Sequence, residues 1–204
     1  ASNLLIEGDK FIYNKEISEL IIIDNVKYFD NENKIYIESQ KIIYDEIKNK
    51  IFSKNETLIK SEENYTINTS DVIYNRNLNK ISSSEYTNIA DKNKNKFLFK
   101  KGLVFQIIPE LISSKEVIVT DKNNNKYYFE NSKIKLKSNE IVGKEVFVEF
   151  EDSFFGNEQN DPLLRGKSVV SNDQNTRIYK TVFDINTKVC KCTIHELLFI
   201  NQRS

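Results

Sequence analysis

An eight-residue pattern that returns three times, each time closing on tyrosine, constrains this chain more than any other feature. Ile6-Glu-Gly-Asp-Lys-Phe-Ile-Tyr13, Ile37-Glu-Ser-Gln-Lys-Ile-Ile-Tyr44 and Ile67-Asn-Thr-Ser-Asp-Val-Ile-Tyr74 begin 31 and then 30 residues apart. Each reads apolar, any, small, polar, any, apolar, any, Tyr. Repetition at this interval means one supersecondary unit used several times. Under the two-residue period of a strand, Ile37 and Ser39 share one face and Ile42 and Tyr44 the other. One bulge or corner between 39 and 42 turns all four to the same side. The small residue (Gly8, Ser39 or Thr69) then falls where space is shortest. The unit is expected to be a strand that bends once, at the corner of a curved sheet.

Polar turns follow the tyrosines, at Asp45–Asn49 and Asn75–Asn79, and short extended runs follow the turns, at Lys50–Ser53 and Lys80–Ser83. With only 5 glycines in 204 residues, asparagine is expected at the positive-φ turn positions. The second half keeps the β character. Phe97–Ile108 is the most apolar stretch, and Pro109 should close it at a strand end or edge. Val117–Phe129 reads as a hairpin around an Asn-rich turn, and Ile134–Lys137 and Val146–Phe150 alternate. A short helix is expected near Glu110–Ser114, a long loop over 154–166, and further strands near Lys167–Val170 and Arg177–Phe183. No sustained helical period occurs, so the expected class is all-β.

Charge and chemistry narrow the function. Lys plus Arg and Asp plus Glu are both 30 and interspersed, which supplies neither a basic nucleic-acid footprint nor an electrostatic membrane anchor. His195 is the only histidine, and a triad would have to use it. Cys190, Cys192 and His195 crowd three potential metal ligands into six residues, a poor zinc arrangement. No Gly-rich phosphate loop occurs, and acidic residues alternate with apolar ones as on a solvated strand face. No catalytic residue set, metal site or cofactor is expected. Cys190 and Cys192 stand too close for an unstrained bridge to each other. The chain opens on Ala1, which a removed signal peptide or a trimmed sequence would equally explain.

The three units resemble the OstA-like domain of lipopolysaccharide transport proteins. The second half narrows the resemblance to the periplasmic domain of the LptD type. It is carried by Val119–Phe129, Asn139–Val146, Phe154–Asn157 and, most specifically, Asn160-Asp-Pro-Leu-Leu-Arg-Gly166, and it covers about residues 4–192. It implies a β-jellyroll of two antiparallel sheets over 1–192, curved and partly open, without a complete membrane barrel. The repeat units occupy 1–96, the second half 97–150, and a loop with the last strands 151–192. It further implies a periplasmic module at the outer membrane that holds lipopolysaccharide acyl chains in an apolar slot. Related jellyrolls would stack on its edge strands, with Leu4–Tyr13 the candidate first edge, and an outer-membrane barrel or lipoprotein would be the further partner. The slot would be lined by Ile6, Phe11, Tyr13, Ile37, Ile42, Tyr44, Ile67, Val72 and Tyr74. Cys190 and Cys192 are the disulfide candidates, with partners not fixed. The family places Pro-Pro-Trp after the second cysteine, where this chain has Thr193–Phe199, so 193–204 is expected to be a divergent tail. On the residues alone, the same nine side chains fill an ordinary closed core, and the chain is equally a structural β-repeat scaffold without a lipid ligand.

Overall fold

A computed structural model describes residues 4–61, 65–91, 95–151, 163–172, 174–184 and 191–200. They form β1 (Leu4–Glu7), β2 (Lys10–Asn14), β3 (Glu19–Asp30), β4 (Ile35–Asp45), β5 (Lys50–Ser53), β6 (Thr57–Ser61), β7 (Thr66–Thr69), β8 (Val72–Asn75), β9 (Lys80–Ser83), β10 (Thr87–Ala90), β11 (Lys96–Phe99), β12 (Leu103–Gln106), β13 (Leu111–Thr120), β14 (Lys126–Lys135), β15 (Glu140–Glu149), β16 (Leu163–Ser171), β17 (Asn175–Asp184) and β18 (Lys191–Ile200). Apart from one 3-10 turn at Arg76–Leu78, all of the regular structure described is strand, and every pairing is antiparallel. The expected all-β class is what the chain adopts.

The long strands bend in the middle, and the bend folds one continuous hydrogen-bonded sheet into two facing layers. On β3 and β4 the ladder runs Ile23 to Lys41, then resumes at Val26 to Ser39. Two residues, Asp24 and Asn25, therefore oppose the single Gln40, and both take positive φ, 63° and 49°. This bulge shifts the side-chain phase, so Ile37, Ser39 and Ile42 are all buried and Tyr44 half-buried. The phase shift inferred from the repeat spacing is thus a real corner. The first layer holds β1, β6, β7, β10, β11 and one half of each long strand. The second holds β2, β5, β8, β9, β12 and the other halves. Positive φ recurs along the corner line at Asp71, Gly102, Glu116, Glu145 and Lys180. Asparagine takes the same conformation at the outer turns, at Asn49, Asn79, Asn124 and Asn139.

Three local expectations are corrected. Glu110–Ser114 is not a helix. Residues 107–110 form a turn, and Leu111 opens β13, whose inner residues Ile112, Val117 and Val119 sit in the core. The loop expected over 154–166 is strand from Leu163 onward, because Leu164 and Gly166 face the interior on β16. The tail expected over 193–204 contributes β18, paired with β17 from Asp184–Lys191 to Asn175–Ile200. Residues 152–162 lie outside the described residues.

Gly102 stands where the chain has no room. Its φ is +69°, and a Cβ would lie 2.0 Å from the Ser83 carbonyl oxygen. Gly102→Ala is expected to lower unfolding free energy by about 3 kcal/mol or more. Urea denaturation checks this, and an effect within experimental error would remove the corner's claim to be sterically closed.

Candidate functional site: the interior and its mouth

The interior is bounded by three things: the corner, two rims of turns and two end strands. At the corner, small hydroxyl residues replace large apolar ones. Ser39 Oγ lies 2.8 Å from Ser53 Oγ, which lies 2.8 Å from Thr57 Oγ1. Thirty residues on, Thr69 Oγ1 lies 2.8 Å from Ser83 Oγ and 2.7 Å from Thr87 Oγ1. All six residues are buried. Their hydroxyls satisfy one another and nearby carbonyls, as in Ser83 Oγ donating to Ser70 O at 2.8 Å and Thr87 Oγ1 to Glu85 O at 2.9 Å. This removes the penalty for burying polar groups. The sequence carries the signal, since 39, 53 and 57 each recur as a hydroxyl residue thirty positions later, but the apolar pattern alone did not expose it.

Between corner and rims the two inner faces are apolar in register. On the first layer the cross-strand row runs Ile6, Tyr28, Ile37, Ile59, Ile67, Ile89, Phe97, Val119, Tyr127, Val148, Leu164. On the second it runs Tyr13, Leu20, Tyr44, Ile51, Tyr74, Ile81, Phe105, Ile112, Ile134, Ile141, then Ser171 and Thr176. At a strand spacing of about 4.8 Å, the first row is roughly 50 Å long.

All nine expected lining residues lie on these inner faces, but not in equivalent surroundings. Ile37, Ile42, Ile67, Val72 and Tyr74 are at most 1% exposed. They pack in one continuous core with residues such as Ile51, Ile59, Phe99 and Phe105. Ile6 and Tyr44 are half-buried. Phe11 and Tyr13 are about half exposed, at 50% and 51%. Their exposure has a simple origin: β1 and β2 pair only with β3 among the described residues, so the inner face of this end lacks a cover. Cys190 lies outside the described residues, and Cys192 is placed only by its backbone, opposite Phe183 on β18. A shallow groove of about 520 Å³ beside the corner residues Glu145 and Lys180 is lined by Phe147, Arg165 and Lys167, with Val146 of the core behind them.

The mouth, opposite the corner, is bridged by two polar ties. In the first, Tyr74 Oη donates to Asp30 Oδ2 at 2.7 Å and Arg76 Nε donates to the same oxygen at 2.8 Å. Asn33 Nδ2 donates to Tyr74 Oη at 2.9 Å. Asp30 belongs to the first layer, Tyr74 and Arg76 to the second. Burial works to raise the Asp30 pKa, but hydrogen bonds from Arg76, Tyr74 and Asn33 outweigh it and hold the carboxyl down at about 2. In the second tie, Tyr65 Oη of the first layer donates to Leu136 O of the second at 2.7 Å. Beneath the first tie, the Tyr28 ring meets the Tyr74 ring edge-on at 6.3 Å. The Tyr28 hydroxyl is buried without a hydrogen-bond partner, and its pKa is pushed up, chiefly by burial.

Among the described residues no group of three or more His, Cys, Asp or Glu could hold a metal ion, and no helix is long and apolar enough to cross a membrane. No protein-family model matches the chain, and no curated protein matches it.

Two outcomes test the mouth. A carboxyl held down in the folded state stabilises above its unfolded pKa of 3.8 and loses that contribution as pH falls toward about 2. Between pH 5 and pH 2, wild type should therefore lose about 2 kcal/mol more stability than Asp30→Asn, measured by urea titration at each pH. The two tyrosines should also part company. Tyr74→Phe should cost about 1.5–3 kcal/mol through the lost bond to a carboxylate. Tyr28→Phe should be neutral or stabilising, because its hydroxyl is desolvated for no bond. Equal losses in the two variants would contradict the assigned roles.

Proposed function

We propose that the chain is a lipid-carrying module: a folded β sheet that holds lipopolysaccharide acyl chains against its inner faces and passes them toward the outer membrane. The observation that carries the reading is the uninterrupted apolar row of the first layer, which runs from the edge strand β1 to β16. A globular core needs only a closed cluster of apolar side chains. A carrier needs the cluster to continue, in line, to an end where it can be joined to the next one. The uncovered Phe11 and Tyr13 supply that open end.

The edges fit stacking on related jellyrolls by strand addition. Among the described residues β1 and β2 lie at one edge, paired as strands only with β3, and β18 lies at the other, paired only with β17. The resemblance to OstA-like, LptD-type domains supports a periplasmic location, with an outer-membrane barrel or lipoprotein as the downstream partner. Each methylene buried contributes about 0.8 kcal/mol. Release is therefore easy only into another apolar slot, which end-to-end stacking provides. The second reading is a structural β-repeat scaffold with a permanently closed core. It is favoured by Ile37, Ile42, Ile51 and Ile59 being fully buried and by the ties across the mouth.

Photo-crosslinking separates the two. A photoreactive residue at Ile42 or Val72, incubated with lipopolysaccharide and irradiated, should give a covalent adduct. No adduct from either position, in protein that remains folded, would leave the scaffold reading standing.

A further inference from the structure

One row of apolar side chains takes no part in the interior. Ile17, Ile47, Leu78 and Ile108 stand on successive turns of the second layer, 30, 31 and 30 residues apart. They are 49%, 74%, 60% and 68% exposed. Adjacent hairpins of that layer are two strands apart, so the four lie in line at steps of about 10 Å. Polar residues are the ordinary choice for turn tips, and an exposed aliphatic side chain at the second or third position of four consecutive turns is not. The opposite rim, on the first layer, is polar: Asp30 accepts from the backbone of Glu32 and Asn33, and Asp121 from that of Asn123 and Asn125.

Between the rims the core comes to the surface. A recess of about 210 Å³ has apolar walls of Ile35, Phe105, Ile107 and Leu136, with the polar residues Ser61 and Glu110 among them and Glu32, Lys34 and Ile108 at its margin. Asn33 and Leu136 line it, and the same two residues belong to the two ties. The recess is therefore a gap in the mouth between the Asp30–Tyr74–Arg76 tie and the Tyr65–Leu136 tie. Its volume is below the range that encloses a drug-sized ligand, and its aliphatic and aromatic walls stand beside Ser61 and Glu110. A space of that size takes no more than the end of one hydrocarbon chain.

We propose that this gap is a side entrance for a single acyl chain, with the Ile17–Ile47–Leu78–Ile108 row as its outer landing surface and the Asp30–Tyr74–Arg76 tie as the bar that must part for the chain to go deeper. The proposal rests on the lipid-carrier reading. At three steps of about 10 Å the row is roughly 30 Å long, longer than one acyl chain, so a chain rests on two neighbouring tips at a time and from Leu78 and Ile108 meets the recess. The tips stand singly rather than as a contiguous patch of the kind that marks a protein interface, so the occupant assigned is a flexible chain. Admission at the side also spares the chain from threading the full length of the row from an end.

The absence of tryptophan from the sequence makes the test clean. Leu78→Trp and Ile108→Trp each introduce a single reporter on the row, and Ile73→Trp places a control on the outer face of β8. The probe is a twelve-carbon phosphocholine detergent brominated in its chain, below its micelle concentration. Both row reporters should lose at least half their fluorescence and the control almost none. In parallel, the rate of lipopolysaccharide crosslinking at Val72 should rise at least threefold when the tie is loosened by Tyr74→Phe or by the paired change Asp30→Asn with Arg76→Ala. Crosslinking at Val72 without quenching on the row, at a rate the tie does not affect, overturns the side entrance and leaves the carrier reading intact. Neither quenching nor crosslinking overturns both. Quenching by brominated phospholipid vesicles but not by the monomeric detergent overturns the entrance in favour of a rim that rests on a membrane.

Discussion

Everything in this structure depends on a change of side-chain phase at one point along β4 and along each of β13 to β17, while β3 keeps its phase by giving two residues to the bulge. A flat strand alternates its faces, so an apolar residue three positions after a buried small one points outward. The bulge at Asp24 and Asn25 against Gln40 cancels that alternation. Both halves of β3 and β4 then present apolar side chains to the same enclosed space, and the sheet becomes two layers without a second set of strands. The corner has its own chemistry. Two layers converge there, so only small side chains fit, and those small side chains are hydroxyl residues whose bonds to one another leave them satisfied. Glu116, Glu145 and Lys180 hold positive φ along the same line, a conformation that β-carbon-bearing residues adopt at some expense. Their presence marks how strongly the surrounding ladders dictate the bend.

The repeat was legible because it is written in large apolar residues. Ile37, Ile42, Ile67, Val72 and Tyr74 were expected in the interior, and all are buried there. The first copy differs for a reason that sequence cannot carry. Phe11 and Tyr13 match their counterparts by residue type, but they sit on an end strand that pairs only with β3 among the described residues. Burial is a property of position in the stack as well as of pattern. The hydroxyl triads and the aliphatic row escaped a pattern reading for another reason. Each places one residue per repeat, and only alignment at a thirty-residue lag brings them out. The helix expected near Glu110 failed because a short Pro- and Glu-containing segment resembles a helix start. In the structure Ile107, Ile108, Pro109 and Glu110 instead make a hairpin turn, followed by inward-facing residues at strand spacing.

The mouth shows how a neutral, highly charged chain can close an apolar interior. Its fixed charges are few and paired across the gap. Arg76, one of only four arginines in the chain, is spent on Asp30. A guanidinium and a phenol converging on one carboxylate oxygen give geometric precision as well as attraction. They leave that carboxylate with no reason to remain if one partner moves. A tie of this kind is strong while whole and weak once breached, in contrast to the apolar rows, which tolerate sliding because no contact along them is directional.

The two apolar rows do not end alike. On the first layer the row runs to Leu164 on β16. On the second it turns polar at the rim, at Ser171 and Thr176, whose hydroxyl oxygens lie 2.7 Å apart. Nearer the corner the second layer stays apolar, with Val169 and Ile178 paired and fully buried. The interior at this end is therefore apolar on both layers and polar only along one rim, so hydrophobic stabilisation, which scales with the area removed from water, does not fall away there. The opposite end, with Phe11 and Tyr13 uncovered, has the character of a surface still to be matched by a neighbour of the same kind.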